Sequence, residues 1–146
     1  MRRPAGTIAH LRTADASTFT EIKELLKQLS ASGIPIKFPA FKKLLANPNL
    51  EVWVVQDGSR IVGMGTLIEY QILSGRSAEI EDVVIDKEYR GKGFGRSLMK
   101  KLIARAKARG CDEASLTSRP SRIAANHLYK KLGLKIRKTN VYHLAL

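Results

Sequence analysis

The sequence predicts a single-domain α/β (α+β) layer fold built on a mixed sheet, and three observations carry that prediction. Two β-like runs, 51–55 and 61–70, are joined by Asp57, Gly58 and Ser59, a hairpin signature that makes part of the sheet antiparallel. Further along, the pattern alternates as strand, helix, strand, helix, strand. The 146 residues, 44% apolar and 27% charged, have the size and composition of one globular domain, 1–146, able to bury its own core.

Residues 7–11 read as a short first strand, and Asp15 follows as a helix cap. Phe19, Ile22, Leu25, Leu26 and Leu29 then recur at helical spacing with Glu21, Lys23, Glu24 and Lys27 between them, which predicts an amphipathic helix over 19–29. Gly33, Pro35 and Pro39 break the next stretch, and residues 40–46 form a short second helix that Asn47 and Pro48 end. After the hairpin, Ser74 and Gly75 precede a third run, 78–85, rich in β-branched residues, which leads through 86–89 into a glycine-rich turn. Beyond the turn, Phe94, Leu98, Met99, Leu102, Ile103 and Ala106 make one helical stripe. Arg96, Lys100, Lys101, Arg105, Lys107 and Arg109 fill the rest of that helix, and Gly110 caps it behind cations suited to the dipole. Residues 114–117 read as a strand, 121–131 as a helix ended by Gly133, and 134–146 as one or two terminal strands around Thr139 and Asn140.

Composition narrows the function. Cys111 is the only cysteine, so neither an intramolecular disulfide nor a cysteine metal cluster can form, and a reducing compartment fits. Arg2 and Arg3 are followed by Pro4, Gly6, His10 and Arg12 rather than an apolar signal core, and no apolar run reaches membrane-spanning length. A cytoplasmic protein without a membrane partner is the expectation. The net charge of +13 calls for an anionic partner or a solvated basic surface. Nucleic acid is disfavoured, because aromatic residues make up only 6% of the chain and do not interleave with the basic ones. His10, His127 and His143 are scattered without metal-ligand spacing, so no metal is expected.

The run Arg90, Gly91, Lys92, Gly93, Phe94, Gly95 carries the chemistry. Three glycines in five residues leave backbone N–H groups free to face an anion, and the helix that follows adds the positive end of its dipole. A Walker loop is excluded because no Gly-x4-Gly-Lys-Ser/Thr string exists. The dinucleotide fingerprint is excluded because Gly91, Gly93 and Gly95 do not follow the G-x-G-x-x-G spacing.

The run resembles the Arg/Gln-x-x-Gly-x-Gly/Ala signature of the GNAT superfamily of N-acetyltransferases, matched by Arg90, Gly93 and Gly95. A strand before it, a long helix after it and the downstream string Asn126, His127, Leu128, Tyr129, Lys130, Lys131, Leu132, Gly133, Leu134 extend the resemblance over roughly 78–134. The resemblance implies a mixed, mostly antiparallel central sheet flanked by helices on both faces, and acetyl-CoA as cosubstrate. It implies that Val83, Val84 and Ile85 offer backbone groups to the pantetheine arm and thioester. It likewise implies that Gly91, Lys92, Gly93, Phe94, Gly95 and Arg96 wrap the pyrophosphate while Arg90 shapes the turn.

The last helix places Arg122, Asn126 and Tyr129 on one face beside an apolar stripe of Ala124, Ala125, Leu128 and Leu132. By the resemblance Tyr129 protonates the departing thiolate, and phenol and thiol reference values of about 10 and about 8.5 permit that transfer. Where relatives often carry a coenzyme-holding asparagine this chain has Arg122, so Asn126 takes that role or Arg122 reaches a phosphate. An ammonium acceptor must first lose a proton. Glu79 and Glu81 alternate along the strand and face the same way unless a bulge intervenes; Glu81, closer to the expected thioester, is the chosen base, with Glu79 or water as alternatives. Cys111 lacks an evident base, so transfer is expected to be direct. The acceptor is a primary amine of a small molecule or peptide, with Lys37, Lys42 and Lys43 hinting at an acidic or phosphorylated one; a homodimer is left open. The alternatives are a non-catalytic acyl-CoA sensor and, on charge alone, a basic nucleic-acid-binding domain.

Overall fold

A computed structural model describes residues 6–31 and 35–146. Arg2, Arg3, Pro4 and Gly33, invoked above, lie outside the described residues. Five strands, β1 (Thr7–Leu11), β2 (Leu50–Asp57), β3 (Arg60–Ile72), β4 (Gly75–Ile85) and β5 (Glu113–Ser115), form one sheet in sequence order. β1 to β4 are antiparallel and β5 joins β4 in parallel, so the sheet is mixed and mostly antiparallel as expected. Helices α1 (Ala16–Leu29) and α2 (Phe38–Leu45) cover one face; α3 (Phe94–Ala108) and α4 (Ile123–Lys131) cover the other.

Local chemistry explains the boundaries. Asp15 caps α1 by accepting a hydrogen bond from the Thr18 N–H at 2.8 Å. α2 starts two residues before the predicted 40–46 because Pro39 lies in its first turn, where the missing N–H would have no intrahelical partner anyway. Each helix buries its apolar stripe: Phe19, Ile22 and Leu25 of α1 against Val54 and Met64, and Leu98, Met99 and Leu102 of α3 against Val62 and Leu67. α3 lies directly on the sheet at Gly65, where an added Cβ would sit 2.8 Å from Leu102 Cδ1.

Two predictions need correction. Residues 134–146 do not form terminal strands; among the described residues, 135–146 pair with no strand of the sheet and have no regular structure. β5 spans Glu113–Ser115 rather than the predicted 114–117, so Leu116 and Thr117 leave the sheet.

The cations of α3 are not all solvated. Arg105 reaches the buried Glu51 of β2 with two bonds, Nη2 to Oε1 at 2.6 Å and Nε to Oε2 at 3.0 Å, while Trp53 Nε1 donates to the same carboxylate at 2.8 Å. Arg109 pairs with Glu51 at 3.2 Å and with the buried Glu69 of β3, which also holds Arg76 at 2.8 Å. The Arg105 guanidinium holds the Glu51 carboxyl down at about 2, and Arg109 lowers that of Glu69. This network ties the C-terminal half of α3 to the sheet, so the start of the helix is held at a fixed place.

Candidate active site

The site is a cleft of about 1160 Å3 between the end of β4, the start of α3 and the start of α4, with the last residues of α1 on its rim. β4 and β5 pair only at Ser77–Glu113, Ala78–Ala114 and Glu79–Ser115, and beyond Glu79 they part. At the parting, a β-bulge sets Asp82 and Val83 opposite Gly65, with Asp82 at φ 53° in the left-handed region. The extra residue reverses the alternation. Ala78 and Ile80 face α3 on one phase, and Val83 and Ile85 face it on the other, while Val84 joins the α1 side.

Backbone direction follows from the same register. The Asp86 N–H donates to Val62 O at 2.8 Å, across to β3, so by alternation Val83 and Ile85 present their backbone groups to the gap that β5 leaves. Their carbonyls are taken by arginines: Arg122 Nη2 donates to Val83 O at 3.4 Å and Arg90 Nε to Ile85 O at 2.9 Å.

The glycine-rich run forms the cleft's other wall. Gly91 and Gly93 lie at φ 75° and 89°, and Gly93 caps α3 with no side chain accepting from the first turn. Gly91, Gly93, Phe94, Gly95 and Arg96 all line the cleft, so the exposed end of the helix dipole lies along its wall. Lys92 does not; its Nζ sits 4.8 Å over the Tyr89 ring.

From α4, Arg122, Ala125, Leu128 and Tyr129 reach the cleft. Tyr129 is 7% exposed, and burial pushes its hydroxyl above the ordinary tyrosine value while the nearby Arg122 charge opposes the rise. Asn126 is turned away from the cleft, donating its amide to Arg119 O at 2.9 Å and Pro120 O at 3.5 Å. The polar row and the apolar stripe read from the sequence are therefore not separate walls.

Glu79 and Glu81 share the α1 side of β4, since the bulge comes after both. Glu79 accepts from the Tyr70 hydroxyl at 3.5 Å and sits where the sheet is still closed; Glu81 sits just beyond, where the strands part. Neither lines the cleft as drawn by its walls. The Glu81 carboxyl is raised by burial, then by the Asp82 and Glu79 charges, and that of Asp82 by burial against an opposing bond from Thr66 at 3.5 Å.

Sequence reasoning missed the bulge at Asp82 and, among the cleft residues, Gln28 and Leu29 of α1 and Ser118, whose hydroxyl oxygen is buried at the cleft with no hydrogen-bond partner. Ser118 stood within the predicted loop, but only the early end of β5 sets it against the cleft. His10 stacks on Trp53 with ring centroids 5.1 Å apart, and burial lowers its pKa. Burial also raises the Cys111 thiol. Among the described residues no three His, Cys, Asp or Glu side chains gather as a metal site, and no helix is long and apolar enough to cross a membrane.

The acetyltransferase (GNAT) family model matches residues 19–134, which takes in both helical layers, the splayed strand and the glycine-rich turn. The chain belongs to the GNAT family. It is an acetyl-CoA-dependent N-acetyltransferase. This GNAT chain is 32% identical over 132 residues to a glucosamine 6-phosphate N-acetyltransferase of Trypanosoma brucei brucei, covering 86% of this chain and 88% of that one. It is 35% identical over 77 residues to a thialysine N-epsilon-acetyltransferase of Bos taurus, covering 52% of this chain and 45% of that relative. The solved structure of a transcriptional regulator from Bacillus halodurans C-125 superposes with a TM-score of 0.84 at 27% identity, covering 96% of this GNAT chain and 99% of the other.

Proposed function

We propose that this acetyltransferase moves acetyl directly from acetyl-CoA to the primary amine of a small acceptor that carries an anionic group. The observation behind this reading is the meeting, in one cleft, of an uncapped glycine-rich helix start, a strand edge freed by the β4–β5 splay, and the buried Tyr129 hydroxyl.

The residues present fit the donor. A long arm ending in a polyanion needs an elongated cleft with cations and open N–H groups at one end. Arg90, Arg96, Arg119 and Arg122 line this one, nothing lies within 4 Å of where a Cβ would stand on Gly91 or Gly93, and the Ser118 hydroxyl lacks a partner. Bound there, acetyl-CoA supplies an acetyl thioester. Gly91, Gly93, Phe94, Gly95 and Arg96 hold its pyrophosphate, and Val83, Val84 and Ile85 hold its arm. The N–H groups of Val83 and Ile85, facing the gap, stabilise negative charge growing on the thioester carbonyl oxygen. Glu81 takes the acceptor's ammonium proton, directly or through a water, so that the amine nitrogen can bond to the acetyl carbon. As the carbon–sulfur bond breaks, Tyr129 donates its proton to the sulfur, and the second nitrogen proton, released as the amide forms, passes through water to the tyrosinate and restores it. Lys92, Asn126 and Arg122 take structural parts: Lys92 packs on Tyr89, Asn126 satisfies the loop carbonyls before α4, and Arg122 holds the splayed strand through Val83.

The anionic acceptor rests on similarity across 86% of the chain to an enzyme named for glucosamine 6-phosphate, together with the cationic surface. Thiol release from acetyl-CoA, measured against glucosamine 6-phosphate, glucosamine, thialysine and a lysine peptide, tests it. Glucosamine 6-phosphate is expected to exceed glucosamine; equal rates would remove the anionic group from the proposal. The Bacillus halodurans neighbour, described as a transcriptional regulator, favours one other reading, a non-catalytic acyl-CoA sensor. Thermal stabilisation by acetyl-CoA with no thiol release from any acceptor would establish that reading instead.

Two variants probe the residues. Gly93→Ala forces an L residue to φ 89° at a strain of roughly 1–2 kcal/mol, so the KM for acetyl-CoA should rise on the order of ten-fold; an unchanged KM would separate the turn from the donor. Glu81 must be deprotonated to act, and its carboxyl is raised, so kcat/KM should climb with pH through an acidic limb above the ordinary glutamate value. Glu81→Gln should abolish that limb, and a limb that survives would give the role to Glu79 or to water.

A further inference from the structure

Arg122 differs from the arginines that brace the sheet. Arg76, Arg105 and Arg109 are each matched to a buried carboxylate of β2 or β3, whereas the half-buried Arg122, at the N-terminal cap of α4, pairs with no carboxylate among the described residues. No aspartate or glutamate lines the cleft that it enters. Its side chain makes one hydrogen bond among the described residues, from Nη2 to Val83 O at 3.4 Å, which leaves the rest of the guanidinium fork for a bound group.

A cation drawn partly out of water with no counter-charge is costly to hold, and an anion that visits the cleft offsets that cost. Two anions arise there. One is the pyrophosphate, at the end formed by residues 91–96. The other is transient: the electron pair of the breaking carbon–sulfur bond moves to the sulfur, and once Tyr129 has given up its proton the charge rests on the phenolate.

Position assigns Arg122 to the second. Val83 is the first residue of β4 beyond the bulge, at the gap where the thioester carbonyl is held, not at the glycine-rich turn. Tyr129 follows Arg122 by about two helical turns on the same face of α4, and helical side chains lean toward the N-terminus, so the ring tilts toward the guanidinium. Burial raises the Tyr129 hydroxyl, and Arg122 is the charge that opposes the rise. Arg90, Arg96 and Arg119 also line the cleft but are exposed, where water screens them; Arg122 alone among these arginines is half-buried.

We propose that Arg122 is the charge partner of the leaving group: tethered at the gap by Val83 O, its guanidinium stabilises the negative charge that passes from the coenzyme sulfur to the Tyr129 oxygen. This role rests on the donor site and on Tyr129 as the acid. A guanidinium stays charged across the working range, so the field is in place whenever the bond breaks and nothing has to reorganise to supply it.

Free coenzyme A is the probe. Its thiolate absorbance is followed against pH with wild type, Arg122→Gln and Arg122→Lys in excess, after subtracting the protein alone. Gln keeps an N–H for Val83 O but no charge, so the bound thiol should titrate roughly one pH unit higher than in wild type, while Lys keeps most of the wild-type value. With the best acceptor, kcat of Arg122→Gln should fall on the order of ten-fold with the KM for acetyl-CoA within about three-fold, and Lys should recover most of the loss. A thiol that titrates alike in wild type and Arg122→Gln would overturn the proposal. So would a loss carried by KM with kcat unchanged, the mark of a purely structural tie to Val83. The titration needs no acceptor, which keeps the two readings apart: coenzyme A that fails to bind wild type would overturn the donor site and this role together, whereas binding with an insensitive thiol would overturn this role alone.

Discussion

Tyr129→Phe is expected to lower kcat for acetyl transfer by roughly 10²–10⁴-fold while leaving the KM for acetyl-CoA within about two-fold. The ring is buried in the α3-side core with Phe94 and Leu98, and phenylalanine fills the same place, so the variant should fold and bind as before. Only the proton is lost. Burial lifts the hydroxyl above its ordinary value, so Tyr129 stays protonated across the working range and the alkaline limb of kcat should lie above the ordinary tyrosine value of 10. A kcat that falls no more than two-fold with the best acceptor would take Tyr129 out of the reaction.

Glu51→Ala is expected to have the largest effect on stability. It leaves Arg105 over the sheet without its two-bonded carboxylate and strips Trp53 Nε1 of its acceptor. Breaking one side of a buried pair costs about 3–5 kcal/mol, a large share of the roughly 5–15 kcal/mol that holds a domain together. The melting temperature should fall by on the order of 10 °C. The sign of the pH dependence follows from the depressed carboxyl. Its contribution is complete above the unfolded value of 4.5 and disappears as pH falls toward about 2. Denaturant titrations of wild type and variant should thus differ fully at pH 7 and converge in acid. A stability gap of the same size at pH 7 and pH 2 would show that packing, not the carboxylate, sets the effect.

Much of the fold was legible because its signals were local. The Asp15 cap, the α1 and α3 stripes, the Asp57-Gly58-Ser59 turn and the run into the glycine-rich turn are all set by residues a few positions apart. The site was legible to the same depth: Val83, Ile85, Arg90, Gly93, Gly95 and Tyr129 do meet in one cleft. What escaped depends on distant partners. Arg105 and Arg109 look like solvated helix cations until Glu51 and Glu69, more than thirty residues away, are seen beneath them. Asn126 shares a helical face with Tyr129, yet the carbonyls of Arg119 and Pro120 claim its amide. Residues 134–146 read as terminal strands around Thr139 and Asn140, but a strand is made by its pairing, and among the described residues these pair with no strand of the sheet.

The bulge at Asp82 has a consequence for how β4 tolerates change. Its residues obey two clocks, one before the inserted position and one after. Substitutions leave both clocks running, whereas losing or gaining a single residue between Glu81 and Val83 would turn the side chains of Val83 and Ile85 to the far face of the sheet or put the backbone groups of Val84 in their place at the gap. The length of the strand is therefore held by the chemistry at its end, apart from whatever its individual side chains pack against.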